Sequence, residues 1–427
     1  MMASNYILKD KQAWHIVFLY AIWSRFFNFY LFSHFSYWSK IEELIILVLT
    51  IYLIPDILNG LKEKGITKNV SLLIVMFLFS TFWALLFWGQ SLYTSIRGLT
   101  SSCLLLVFFF LLKKRKISIE SLINAIVILC IIYCICLSIA LITFPNCIFG
   151  DFSYTQNTID DYERTLESRG ALRLPVPGSD FVILTIFILI SKYKNQTKMY
   201  IWLLPLFIFL LQRGTRTPLF VTTLIVFIYV IAHIKNKIIV AVVAACVYSL
   251  ISLLLPVIIK SDSDNIIVKY IKTTNEQIET SQNEEEDIRI KMATYYLSDF
   301  NNGNLLRDFF GNGVPSGVSS EYGNAVNKNM KNNKFFMEDV GFVQIFVWFG
   351  IIGYIIYSKL LIKSIKVHKT QDTEFGFIYI IYLFLILPAN CSLTNQPIFF
   401  AISLYALYIG ELHKTHAGRI LMKYEKR

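Results

Sequence analysis

Apolar stretches close to the thickness of a bilayer core recur along the chain, separated by short polar connections. A hydrocarbon core of about 30 Å takes roughly 20 helical residues at about 1.5 Å each. Stretches near that length fall at 14–33, 41–58, 70–89, 96–112, 119–144, 177–191, 200–212, 217–234, 238–259, 339–358, 375–388 and 396–411. Several are short or interrupted by Pro55, Pro205 or Pro388, which softens their ends. The pattern predicts an all-α, polytopic integral membrane protein with about 12 transmembrane helices.

Composition agrees. Of 427 residues 55% are hydrophobic and 16% charged, too apolar for a soluble domain. Orientation follows from the basic residues of the short loops. Lys9/Lys11, Lys62/Lys64/Lys68, Lys113-Lys114-Arg115-Lys116, Lys192/Lys194/Lys198, Lys235/Lys237, Lys359/Lys363/Lys366/Lys369 and the tail occupy every second connection. Both termini are therefore expected in the cytoplasm, and the location expected is a bacterial inner membrane.

The expected organisation is helices 1 to 5 over 1–144, an external loop at 145–176, helices 6 to 9 over 177–259, and a second external loop at 260–338. Helices 10 to 12 and a short cytoplasmic tail fill 339–427. The first apolar stretch holds Arg25 and lacks a small-residue cleavage site, so it reads as a retained helix. Arg25 in mid-span is either functional or paired with an acid elsewhere. The seven Cys show no metal spacing or disulfide framework. Cys147 and Cys391 are the pair that the outer surface could bridge.

A net charge of +11 suggests nucleic acid until its distribution is considered. On this topology 20 of the 28 Lys face the cytoplasm, as insertion and anionic lipid require, but only 3 of the 12 Arg do. Nucleic acid is therefore not an expected partner. Arg164, Arg169, Arg173, Arg213, Arg216, Arg289 and Arg307 fall in external segments. Arg presents a planar, permanently charged fork that grips phosphate or carboxylate oxygens in pairs.

The turn Gln212-Arg213-Gly214-Thr215-Arg216-Thr217 is the one breach of the positive-inside pattern, which suggests a bound anion there. For Arg164 and Arg307 the favoured reading is pairing with acidic residues of the loops. Arg216 has no acidic residue near it in sequence.

In the second loop Ile288, Met292 and Tyr295 share one face of an amphipathic helix carrying Arg289. Phe309-Phe310-Gly311-Asn312-Gly313-Val314-Pro315-Ser316-Gly317 reads as a Gly-rich turn, with a phosphate nest as the sharper alternative. Residues 318–334, polar and rich in Asn and Lys, read as a mobile segment. Glu338-Asp339 opens the tenth helix. Acids there complement the helix dipole; the other reading is catalytic, an acid at the water boundary taking a proton from a hydroxyl.

On these residues the chain resembles the O-antigen polymerase and ligase family of bacterial surface polysaccharide assembly. Gly214-Thr215-Arg216-Thr217 before an apolar helix is similar to that family's small-residue, Ser/Thr-Arg turn. Arg289 followed by an aromatic-rich helix and Phe310-Gly311-Asn312-Gly313 resembles its loop motif, and Gly341 to Gly353 its motif in the following helix. The resemblance spans roughly 165–360. It implies work on glycans carried by undecaprenyl diphosphate, with no metal, cofactor or nucleotide sugar.

Family ligases resemble one another in a loop His, and 260–338 contains none, so the chain looks closer to the polymerase branch. The implied partners are lipid-linked donor and acceptor, membrane lipids, a chain-length regulator and a flippase. The expected site has Arg216 and Arg289, helped by Arg213, Arg173 and Arg169, clamping the diphosphate. Glu338 or Asp339 acts as base, and Tyr295, Tyr296, Tyr322 and Phe336 are candidates for stacking on sugars. The alternatives are a ligase, or a flippase or transporter of the same lipid-linked glycan. A transporter should carry charges in a cavity between repeat-related helices, and no internal repeat is visible.

Overall fold

A computed structural model describes residues 10–33, 37–99, 105–113, 117–144, 147–150, 174–193, 201–212, 216–233, 288–316, 320–391, 393 and 396–424. Among them the regular structure is helical, and the one β feature is an isolated bridge between Phe29 and Phe149. Four helices are long and apolar enough to cross a membrane: Glu43–Lys62, Ile66–Trp88, Ile119–Thr143 and Gly341–Ile365. Shorter apolar helices lie at Leu203–Gln212, Thr217–His233, Glu374–Ile386 and Pro397–Leu412. The protein is an all-α, membrane-embedded protein. The span expected at 238–259 lies outside the described residues, as does most of the loop at 145–176.

The first expected span is not a continuous helix. Its helix ends at Trp23, and Arg25, Phe26, Phe27 and Asn28 then take positive φ values of 52°, 52°, 62° and 53°. Left-handed backbone at four L-residues in succession ends the helix more decisively than any polar residue would. The Ser24 hydroxyl accepts from the Phe27 N–H at 3.1 Å within this break. Of the span expected at 96–112, Leu92–Leu99 and Val107–Lys113 are helical, and 100–104 lie outside the described residues.

The chain forms two compact units, one of residues 1–16, 36–125 and 288–427, the other of 17–35 and 126–287. In the first, Ile66–Trp88 packs against Trp38–Lys62 and against Gly341–Ile365, and Glu374–Ile386 packs against Pro397–Tyr424. Glycines set the closest approaches. A Cβ on Gly376 would stand 2.8 Å from the Ser403 carbonyl oxygen, so only a bare backbone lets these two helices meet there.

In the second unit Ser179–Lys192 is buried on every side from Ser179 to Ser191, which makes it the central element. Leu203–Gln212 and Arg216–His233 pack on it. Tyr20 meets Phe181 edge-on at 4.7 Å, and Gly178 at φ 110° lets the chain turn beneath the Tyr20 hydroxyl.

Candidate functional site

The apolar sequence of the Gly341–Ile365 helix hides a break. Gly350 sits at φ 64°, ψ −169°, a conformation open in practice to glycine alone. Breaking a helix inside a bilayer frees carbonyl groups that find no water there. Here the loop supplies the donors. The Asn312 N–H donates to the Val347 carbonyl at 2.8 Å and the Gly313 N–H to the Trp348 carbonyl at 2.9 Å.

This settles the Gly-rich turn. Gly311 and Gly313 both stand at φ 78°, as a nest would require, but the three successive N–H groups are committed, that of Gly311 to the Arg307 carbonyl at 2.8 Å. The turn is a structural wedge, not a phosphate cradle. A Cβ on Gly311 would collide with the backbone of Trp348 and Phe349, and one on Gly313 with the Ser80 carbonyl.

Side chains lock the wedge. Asn312, fully buried, accepts from the Trp88 indole N–H at 2.9 Å and donates to Asn301 Oδ1 at 2.8 Å and to the Val347 carbonyl at 3.2 Å. Asn301 in turn donates to Asp308 Oδ1 at 2.8 Å. Gln90 donates to the Val314 carbonyl and accepts from the Ser316 N–H, and the Tyr322 hydroxyl donates to the Gly313 carbonyl at 3.0 Å.

Around this chain lies an aromatic core in which Trp88 stacks on Tyr322 at 4.9 Å and on Phe300 at 5.9 Å, and Tyr296 meets Phe300 at 5.1 Å. Tyr296 and Tyr322 are fully buried, so they hold the loop together and do not offer faces to sugars. Burial pushes the Tyr296 hydroxyl up to about 12. Tyr295 is half-buried with its hydroxyl accepting from Asn329, and Phe336 remains exposed.

Two more loop expectations change. The buried stripe of the Ile288–Thr294 helix runs through Met292 to Tyr296, one turn apart, while Ile288 is exposed and Tyr295 only half-covered. A π-turn at Tyr295–Asp299 adds a residue to the register and rotates the face. The polar segment at 318–334 is not an irregular stretch: Glu321–Asn333 is a helix whose Ser320 hydroxyl accepts from the Gly323 N–H at 2.9 Å.

Of the expected site residues, Glu338 and Asp339 form a 3-10 turn, Met337–Asp339, just ahead of the helix that begins at Gly341, so they precede it instead of opening it. Both are exposed to solvent. Glu338 nonetheless stands among enough protein atoms that burial, and then the charge of Asp339, raise its carboxyl above the usual value. Arg289 is exposed on its helix, whose continuation through the π-turn packs against the same Gly341–Ile365 helix. The first unit thus brings Arg289's segment, the glycine wedge and the carboxylate pair onto one broken helix.

Arg216 begins the Arg216–His233 helix and belongs to the other unit. Arg169, Arg173 and Arg213 lie outside the described residues. Cys147 and Cys391 are buried thiols that form no disulfide with one another.

Arg307 departs from its expected acid pairing. Its neighbour Asp308 is engaged by Asn301, and among the described residues no carboxylate lies within ion-pair distance of Arg307. Its guanidinium lies over Trp88 at 4.6 Å and Phe87 at 5.4 Å, and Nη2 donates to the Phe87 carbonyl at 3.0 Å. Nothing in the local sequence signals this placement, because the platform comes from a helix more than two hundred residues earlier.

No family model matches the chain. No curated protein matches it either.

Proposed function

We propose that the protein is a glycosyltransferase of the membrane that joins undecaprenyl-diphosphate-linked repeat units into a surface polysaccharide, O-antigen or capsule, on the outer leaflet. The observation that carries this reading is the assembly of the three resembling segments of the first unit on one broken helix, with an exposed carboxylate pair at its start. The chemistry asks for two things. A sugar hydroxyl must lose its proton as it attacks the anomeric carbon of the donor, and the departing lipid diphosphate must have its negative charge held.

Glu338, whose proton affinity is raised first by burial and then by the charge of Asp339, is assigned as the base. Arg216 and Arg289 are assigned to the diphosphate, with Arg213, Arg173 and Arg169 as helpers. Guanidinium groups aimed at charge developing on the leaving group contribute several kcal/mol in a site poor in water.

The test is a leaflet-resolved analysis of lipid-linked glycans in cells lacking the protein. Single repeat units should accumulate on the outer leaflet. Accumulation on the inner leaflet would instead make it a flippase, and finished polymer still on its lipid would make it a ligase. In cells carrying Arg216→Lys, polymer should fall while membrane insertion is unchanged, because charge without the fork loses the paired contacts.

A further inference from the structure

An apolar groove runs along the first unit between Ile66–Trp88 and Gly341–Ile365. Its volume is about 190 Å³, and Leu72, Met76, Phe79 and Trp83 line one wall with Phe349 and Ile352 opposite. The residues of the first wall recur every three or four positions, so they form a single stripe about 16 Å long at about 1.5 Å per residue. At one end Phe310 lines the groove and stacks on Trp83 at 4.4 Å.

One turn beyond that stack the two helices repeat the pairing with a cation. Arg307 precedes Phe310 by three positions on its helix, Phe87 follows Trp83 by four, and the Arg307 guanidinium lies over Phe87 and Trp88. A partly buried Arg without a carboxylate is an unusual expense. Its Nε is buried without an acceptor, and one Nη2 bond is the hydrogen bond that the group makes. The Asp308–Asn301–Asn312–Trp88 chain engages the acid adjacent in sequence and fixes the platform, so the positive charge has no carboxylate partner among the described residues.

We infer that this groove and Arg307 form a binding site for a lipid phosphate with one long chain, the chain lying along the Leu72–Trp83 stripe and a phosphate oxygen meeting the guanidinium. The single stripe suits one polyprenyl chain, not the paired chains of a glycerophospholipid. The occupant is therefore the polyprenyl phosphate carrier, an assignment that rests on the function proposed above and adds a cation outside the Arg216 and Arg289 set.

The test uses the full chain in detergent micelles, titrated with undecaprenyl phosphate, undecaprenol or dioleoyl phosphatidate and read by native mass spectrometry. Undecaprenyl phosphate should bind, and Arg307→Met, which keeps the apolar stem over the rings, should weaken it about ten-fold, the order expected for one charge-assisted hydrogen bond. Undecaprenol binding should be unchanged in that variant. Ile352→Trp, which fills the groove without touching Arg307, should weaken both polyprenyl ligands.

Equal affinity of Arg307→Met and the unaltered protein for undecaprenyl phosphate overturns the site, as does displacement of that lipid by an equal amount of dioleoyl phosphatidate. Binding that depends on Arg307 in a protein whose loss leaves polymer intact would keep the site and remove the polymerase reading. The converse result would do the reverse.

Discussion

Asn312 commits both polar atoms of its side chain and its backbone N–H. Its side-chain oxygen and nitrogen and its backbone N–H serve Trp88, Asn301 and Val347, all from a fully buried position. Asn312→Leu keeps the bulk and removes the partners of the Trp88 indole, of Asn301 Oδ1 and of one Val347 bond. A loss of about 3 kcal/mol is expected, since each abandoned buried group costs about 1–3 kcal/mol. Thermal unfolding in detergent should show it. At Glu338 the expected effect is on pH dependence. A base works ionised, so activity falls as pH drops through its raised pKa, and Asp339→Asn removes one of the two causes of that rise. The acid limb of the pH–rate profile should move to lower pH in Asp339→Asn; an unmoved limb would mean that Glu338 is not the base.

Among the described residues hydropathy marks the four long apolar helices, but it does not mark the breaks. The Gly341–Ile365 stretch reads as an ordinary span because apolar content measures transfer into lipid and says nothing of which carbonyls are left open. The break at Gly350 needs donors from Asn312 and Gly313, and that pairing is a contact between distant segments. The same reason hid the role of Arg307 and the burial of Tyr322, whose neighbours Phe87 and Trp88 lie on another helix. By contrast, Glu338-Asp339 was legible as a boundary pair because acids between a polar loop and an apolar run are local signals. Gly350→Ala should cost at least about 3 kcal/mol, combining a conformation strained for any L-residue with a collision against the Phe309 carbonyl. Thermal melting with and without the substitution measures it; a difference under about 1 kcal/mol would argue that the helix straightens instead.

Across the whole molecule the chain threads between two compact units, and the expected phosphate ligands are divided between them. Arg289 belongs to the unit that holds the carboxylate pair and Arg216 to the other. Serving one diphosphate therefore demands that Arg216 reach the external side. A cysteine at position 215 should react with a membrane-impermeant maleimide added to intact cells stripped of their outer envelope. Labelling only after the membrane is opened would place Arg216 in the cytoplasm and detach it from the site. The sequence supports this topology through its Lys distribution, a property of the whole chain that no single span displays.

The break at Gly350 also bears on how the protein is made. Val347 and Trp348 need the 312–313 turn before their carbonyls can rest in lipid, and the turn in turn rests on Trp88, Ser80 and Ala84 of an earlier helix. Synthesis delivers these parts in the required order: the early helix first, the turn next, and the broken helix last. A circularly permuted chain that began between the turn and the helix would release the unsatisfied segment into the membrane first. Its biogenesis should then depend on chaperones more than that of the natural order.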